Sequence, residues 1–159
     1  MHKKSVVIIA LIAGLSLLSC KDPIPSTVYD NPDAKHTIMI TGYDTEFKSA
    51  LMEEIVAKYS PICRIEIVDI SKAPKADYSQ YSAIILMDEV EAWMMMNRKA
   101  RKIIDKIEPK DKLEAVITAG DEEWEYEKDG VEAITSASVM SEKDEVLEEI
   151  YKRVDSHIE

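Results

Sequence analysis

The chain has 159 residues, of which 46% are hydrophobic and 32% are charged, and its formal net charge is −11 at pH 7. This length and composition fit one domain with a hydrophobic core and leave too few residues for two. The negative charge excludes a nucleic-acid-binding surface of the usual basic kind. It favours a basic redox or binding partner protein, or simply keeps the domain soluble beside a membrane.

The first 19 residues are typical of a bacterial lipoprotein signal peptide. A basic start at residues 2–4 precedes an apolar run over 6–18 that is too short to span a bilayer. Leu17-Leu18-Ser19-Cys20 resembles a lipobox, in which the peptide is cleaved before the cysteine and the thiol takes a diacylglyceryl group. An ordinary signal peptide with a chance cysteine is the competing interpretation. The sequence thus predicts lipidation at Cys20 and a lipid-anchored position in the cell envelope, on the periplasmic or surface side of a membrane.

Cleavage would make the mature chain more acidic, with 18 basic and 31 acidic residues and a net charge of −13. Residues 20–36 contain three of the six prolines and show no hydrophobic periodicity, which predicts an extended, lipidated tether. A tether of this length could reach about 50 Å. The folded domain is then expected over residues 37–159.

Strands are predicted from two kinds of apolar pattern. Continuous apolar runs at 38–40, at 83–87 within the stretch 81–88, and at 115–117 predict strands that are buried on both faces. Alternating segments at 64–67 and 131–133 predict strands with one wet face, which suit the edges of a sheet.

Helices are predicted between these strands. Thr45 is a plausible N-cap for a helix that buries Phe47, Leu51, Ile55 and Tyr59. A second helix is expected over 90–107, and a third follows a capping-box pattern at residues 141–144. Between 120 and 130, a short helix over 122–128 is favoured over a hairpin that turns at Asp129-Gly130.

These elements predict an α/β, doubly wound three-layer sandwich. Its five-stranded parallel sheet would have the flavodoxin-like order 2-1-3-4-5, with the two alternating strands at the edges. Ligands bind such sheets at the carboxyl ends of the strands. Three loops reach that rim, at residues 41–45, 88–93 and 119–126.

The stretch from Ile38 to Ser138 resembles a flavodoxin-type FMN-binding domain. Gly42-Tyr43-Asp44-Thr45-Glu46 is similar to the phosphate loop of that family, and Ile117-Thr118-Ala119-Gly120 resembles the end of its fourth strand. The resemblance implies FMN as cofactor and electron transfer as function. It implies a site in which threonines hold the phosphate, tryptophans stack on the flavin ring and glycines allow close approach: Thr41, Gly42, Thr45, Trp93, Gly120 and Trp124.

One departure from the family motif supports a competing hypothesis. Asp44 stands where the family has a neutral asparagine, and the three loops contain no lysine or arginine. A carboxylate close to a phosphate dianion costs roughly 1–4 kcal/mol, depending on solvation. The alternative is a cofactor-free, flavodoxin-like binding or scaffold lipoprotein that acts through its acidic face.

A second resemblance concerns residues 131–139. They are similar to the motif of extracytoplasmic FMN-binding domains in which a threonine carries FMN through a phosphoester bond, and Ser138 would be that residue. The other interpretation is a strand end and a small-residue turn before a helix. No Ser/His/Asp or Cys/His arrangement can be argued from the sequence, which leaves open whether the protein is an enzyme.

Overall fold

The computed structural model describes residues 22–91, 95–119, 125–128 and 130–159. The architecture is α/β, with three helices packed on a seven-stranded, mostly parallel sheet. The helices are α1 (Glu46–Tyr59), α2 (Arg98–Lys106) and α3 (Lys143–Ile158). Within the described part of the chain, no helix has the length and apolar character needed to cross a membrane.

The strands form one sheet and one small hairpin. They are β1 (Thr27–Tyr29), β2 (Thr37–Gly42), β3 (Arg64–Ile67), β4 (Ala83–Glu91), β5 (Met95–Met96), β6 (Leu113–Thr118), β7 (Glu127–Lys128), β8 (Val131–Glu132) and β9 (Ile134–Ser136). The sheet order is β1-β3-β2-β4-β6-β9, in which only β1 runs antiparallel to its neighbour, and β5 folds back on the end of β4. β7 and β8 form the separate hairpin.

The predicted central strand is confirmed as β4, which lies between β2 and β6. Ile85 is opposite Ile40 in β2 and Glu114 in β6. The four residues Ile84 to Met87 are fully buried. A strand covered by helices on both faces has no wet side, which is why its sequence is continuously apolar.

Hydrophobic clusters fill both faces of the sheet. Ile38 and Ile40 point towards α1 and α3, whereas Met39 between them points towards α2. Each fully buried side chain of this size contributes about 1.5–3 kcal/mol of hydrophobic free energy. The sheet is therefore the middle layer between helices on either side.

The first helix is confirmed with its predicted cap. The Thr45 hydroxyl accepts a hydrogen bond from the Lys48 amide at 3.2 Å, and the four predicted apolar residues are buried. The third helix differs at its start. It begins at Lys143 without a side-chain cap, because the Glu142 carboxylate instead accepts hydrogen bonds from the Ser136 hydroxyl and the Ala137 amide.

The prediction of a helix over 90–107 is wrong in its first half. β4 continues to Glu91, and α2 begins only at Arg98, after Asn97 caps it. The Asp88 carboxylate accepts a hydrogen bond from the Asn97 amide at 3.1 Å, so the chain folds back to the end of β4 before the helix starts. The apolar spacing alone does not reveal this contact.

The fifth strand is also displaced from its predicted place. Val131 and Glu132 pair with β7, and the strand that pairs with β6 is β9. The predicted short helix over 122–128 is wrong at residues 127–128, which belong to the hairpin. Gly130 has a φ of +79°, a conformation that tight hairpin turns need and that glycine adopts without strain, so this part of the crossover forms a hairpin.

The predicted tether and the predicted edge at β3 are both wrong, and for one reason. Residues 27–29 pair with β3, so that Val28 lies opposite Glu66 and β3 lies inside the sheet. The alternation of β3 has another cause. Its polar side is filled by a hydrogen-bond network in which Glu66 accepts from Tyr81 at 2.8 Å and from Arg64 at 2.9 Å.

Candidate functional site

The loop after β2, where the flavodoxin resemblance places a phosphate, is closed by the N-terminal segment. The Asp44 amide donates to the Asp22 carbonyl at 2.7 Å, and the Ile24 amide donates to the Gly42 carbonyl at 3.1 Å. The Tyr43 amide donates to the Met87 carbonyl at 3.2 Å. The amides of Tyr43 and Asp44, which a phosphate in this loop would need, are therefore already hydrogen-bonded to carbonyl oxygens.

Gly42 is required by the packing of the sheet. A Cβ atom at this position would lie 2.1 Å from the carbonyl oxygen of Met87, far inside van der Waals contact. The backbone of β4 thus approaches β2 too closely for any side chain. The glycine that resembles part of a phosphate loop is explained by this contact between strands.

The two predicted threonine ligands have different surroundings. The Thr45 hydroxyl already accepts a hydrogen bond as the N-cap of α1. Thr41 is fully buried, and its hydroxyl makes no hydrogen bond with any residue that the structure describes. Leaving a buried hydroxyl unsatisfied costs about 1–3 kcal/mol. The Thr41 hydroxyl is therefore withdrawn from the loop surface, and the Thr45 hydroxyl oxygen is engaged as a helix cap.

The charge around this loop also opposes an anion. The Asp44 carboxylate accepts a hydrogen bond from the Ser49 hydroxyl, and the carbonyl of Asp22 lies against the Asp44 amide. The loop residues do not fit the phosphate of FMN. Trp93, Gly120 and Trp124, the remaining predicted flavin ligands, lie outside the described residues, as does the predicted lipidation site, Cys20.

A charged pair lies beneath the same rim and was missed in the sequence analysis. Lys48 is fully buried on the sheet side of α1, and its Nζ lies 3.4 Å from a carboxylate oxygen of Glu89. Burying a charge costs several kcal/mol unless a partner compensates it. The available signals were a lysine next to Phe47 of the apolar stripe and the acidic pair Asp88-Glu89 directly after the continuous apolar run.

A groove of about 720 Å³ lies between β9 and α3. Its lining contains Ile134, Val146 and five glutamates, together with Lys152 and Arg153. The glutamates are Glu132, Glu142, Glu145, Glu148 and Glu149. The groove is thus strongly acidic, and the apolar side chains of Ile134 and Val146 in its lining are buried.

The glutamates of the groove have different partners. Arg153 lies 2.8 Å from Glu149 and lowers the pKa of that carboxyl through a hydrogen bond, and Glu142 is bound to the turn after β9. Glu145 and Glu148 are exposed and form no ion pair with the rest of the described chain. These two carboxylates are available to a basic ligand.

Within the described residues, β9 has one residue whose backbone groups lack a strand partner. The Ser136 carbonyl points to β6, where it accepts from the Ala119 amide at 2.9 Å. Because successive peptide groups alternate in direction, those of Thr135 point to the opposite side, along the groove. The Ala133 amide on that side donates to Tyr126, and the Ala137 amide donates to Glu142. β9 is therefore a short edge strand whose middle residue faces the groove.

Ser138 lies in the turn that leads from β9 towards α3. Its φ angle is +64°, and its amide donates to the Ser136 hydroxyl at 3.1 Å. The next two residues, Val139 and Met140, are 43% and 49% exposed. Covalent flavin at Ser138 stays a prediction.

Behind the groove, Glu114 forms a buried cluster with residues of α3. Burial raises the pKa of the Glu114 carboxyl, although Arg153 at 3.8 Å and His157 at 3.4 Å act in the opposite direction. Arg153 also donates to the Glu132 carbonyl at 2.7 Å. One arginine thus connects β6, the hairpin and the wall of the groove.

No protein-family model matches this chain, and comparison with curated proteins finds no match either. Among the described residues, no group of acidic, histidine or cysteine side chains is arranged to hold a metal ion. Arguments about function therefore depend on the contacts and charges of the chain itself.

Proposed function

We propose that this protein is a lipid-anchored, flavodoxin-like binding module of the bacterial cell envelope. It works without FMN and binds a basic segment of a partner protein in the groove between β9 and α3. The lipobox-like motif at Cys20 supports the anchor, and the helices on both faces of a mostly parallel sheet support the flavodoxin-like fold.

The main support for a protein without FMN is the hydrogen bond from the Asp44 amide to the Asp22 carbonyl. FMN could bind only if this segment left the loop, which would also remove Ile24, 1% exposed, from the hydrophobic core. The phosphate would then lie beside the Asp44 carboxylate. Both changes oppose binding.

Binding of a basic segment is supported by the chemistry of the groove. Glu145 and Glu148 lie one turn apart on α3, so their carboxylates can contact cations on the same side of an extended peptide. Thr135 offers backbone groups for one step of strand addition, and Ile134 and Val146 supply apolar contact. The mature net charge of −13 would further increase the association rate with a basic partner.

Titration with FMN tests the absence of cofactor. We expect purified mature protein to leave FMN fluorescence and its visible spectrum unchanged at tens of micromolar. Quenched fluorescence with a shifted spectrum, reduced in a Trp93→Ala variant, would instead establish an FMN-binding electron carrier. Flavin that survives denaturation and disappears in Ser138→Ala would establish covalent attachment.

Titration with a short peptide that alternates lysine and threonine tests the groove. We expect salt-dependent binding that weakens about tenfold in the double variant E145K/E148K, equivalent to ~1.4 kcal/mol. The matched control is Glu53→Lys, which reverses one exposed charge on α1, away from the groove. If Glu53→Lys weakened peptide binding by the same amount per reversed charge, net charge alone would attract the peptide. That result would contradict a groove site.

A further inference from the structure

The N-terminal segment is fixed to the carboxyl rim of the sheet from its first described residue. Asp22 binds the amide of Asp44, Pro23 forms a β-bridge with Tyr43, and Ile24 is buried in the core. From there the chain continues into β1 along the edge of the sheet. The segment expected to be a free tether is thus part of the domain.

This attachment leaves a very short connection to the predicted lipid. Cys20 precedes Asp22 by two residues, and a chain extends by at most about 3.6 Å per residue. The Cα atoms of Cys20 and Asp22 are therefore no more than about 7 Å apart. The reach of about 50 Å expected for a free tether is lost.

We propose that the carboxyl rim of the sheet faces the bilayer and that the domain is held in this orientation by its N-terminal segment. The inference rests on the proposed lipid anchor at Cys20. The loop over Gly42–Thr45 and the start of α1 would lie next to the lipid headgroups. The opposite rim, which carries the end of α1, would point away from the membrane.

The orientation has a consequence for the proposed binding site. α3 begins near the carboxyl rim, next to the end of β9, and runs back along the sheet towards the opposite rim. The groove between β9 and α3 is therefore a lateral surface, open to a partner that lies beside the domain on the same membrane. The crevice of a flavin site would instead face the lipid.

Fluorophores on α1 test the orientation in the lipidated, full-length protein. Glu46→Cys labels the first residue of the helix and Ala57→Cys labels its last turn, about 16 Å further from the rim. Both positions are exposed, whereas the native Cys63 is buried and should remain unlabelled. The protein is reconstituted in phosphatidylcholine vesicles that contain lipids with a nitroxide on the headgroup.

We expect quenching by the nitroxide to be several-fold stronger at residue 46 than at residue 57. A Gly/Ser insertion between Lys21 and Asp22 should abolish the difference, because it restores a flexible leash without changing the domain. Equal quenching at both positions in the protein without the insertion, or stronger quenching at residue 57, would overturn the orientation.

A separate measurement distinguishes failure of the anchor. Cys20→Ala should release the protein from the membrane fraction and remove the diacylglyceryl mass from the mature chain. If the unaltered protein lacks that mass, both the anchor and the orientation are wrong. If the mass is present but the quenching is equal, only the orientation is wrong.

Discussion

The two edges of the sheet are finished in different ways. On one side, β1 covers β3 along three residue pairs, and Arg64 bonds Asp30 while Asn31 donates to the Ser60 carbonyl. On the other side, β9 is three residues long and borders an acidic groove. An unpaired edge invites association with other strands. The chain covers β3 with a three-residue strand of its own N-terminal segment, which becomes the new edge, and it keeps the β9 edge short and charged.

The two edges are expected to serve different purposes. The segment that covers β3 also seals the loop after β2, so one stretch of chain both stabilises the sheet and closes the position of a phosphate site. Among the described residues, the β9 edge has Thr135, whose backbone groups lack a strand partner, next to Glu145 and Glu148, which form no ion pair there. Stability is therefore expected to depend on the first edge, and binding on the second.

Proline substitutions should separate the edges most clearly. Because β3 has a strand on each side, every β3 amide faces a hydrogen-bonding neighbour, and Glu66→Pro should lower the free energy of unfolding by about 3 kcal/mol or more. Thr135→Pro removes an amide that points into the groove and should cost only about 1 kcal/mol. Urea denaturation measures both values.

Glu66→Ala is the matched control, since it removes the contacts with Arg64 and Tyr81 but keeps the amide. The difference between the proline and alanine variants isolates the backbone effect. Similar losses for proline at residues 66 and 135 would contradict the distinction between a covered and an open edge.

The next prediction concerns the anchor of the covering segment. Ile24→Ala should lower the free energy of unfolding by about 2–4 kcal/mol, because Ile24 is buried in the main core. Val28→Ala in the same segment should change it by less than about 0.5 kcal/mol, because Val28 is 52% exposed. If the two variants were equally stable, the segment would not be part of the folded domain.

These cases show which parts of the structure the sequence could predict. The apolar runs of β2, β4 and β6 and the cap at Thr45 are local signals, and all four predictions are confirmed. The covering strand β1 was not predicted, because three residues are too few to show an alternating pattern and all three are exposed. Its formation depends on pairing with a strand that is distant in sequence.

The candidate sites were harder to predict for the same reason. The groove depends on the position of α3 beside β9, although the glutamates of α3 are visible in the sequence. Lys48 was harder to identify, because its contact with Glu89 joins two elements that are far apart in sequence. Gly42 matched a phosphate loop, but only the backbone of β4 explains why a glycine is needed there.

A smaller effect should follow from the buried cluster behind the open edge. Burial raises the native pKa of Glu114, so in mildly acidic solution above the ordinary glutamate pKa the folded state binds more protons than the unfolded state. The contribution of Glu114 to the free energy of unfolding should therefore rise as the pH falls through this window. Glu114→Gln should lose this part of the pH dependence in urea titrations.

The control for this prediction is Glu149→Gln. Hydrogen bonds from Arg153 lower the pKa of Glu149, so its contribution is present above the ordinary glutamate pKa and is lost as the pH falls through its native value. Glu149→Gln should therefore remove a pH dependence of the free energy of unfolding that has the opposite sign and lies at lower pH. Identical pH profiles for the two variants would show that Glu114 is not perturbed by burial.

The smallest effect is expected in the turn beside the open edge. Ser138 adopts a φ of +64°, a conformation that strains a residue with a Cβ atom. Ser138→Gly should therefore raise the free energy of unfolding by about 0.5 kcal/mol, after the greater flexibility of glycine in the unfolded chain is included. Ala50→Gly inside α1 should instead lower it by about 1 kcal/mol. Because the substitution keeps the backbone of the groove and removes a hydroxyl, peptide binding should stay unchanged; a loss of binding would mean that Ser138 itself contacts the partner.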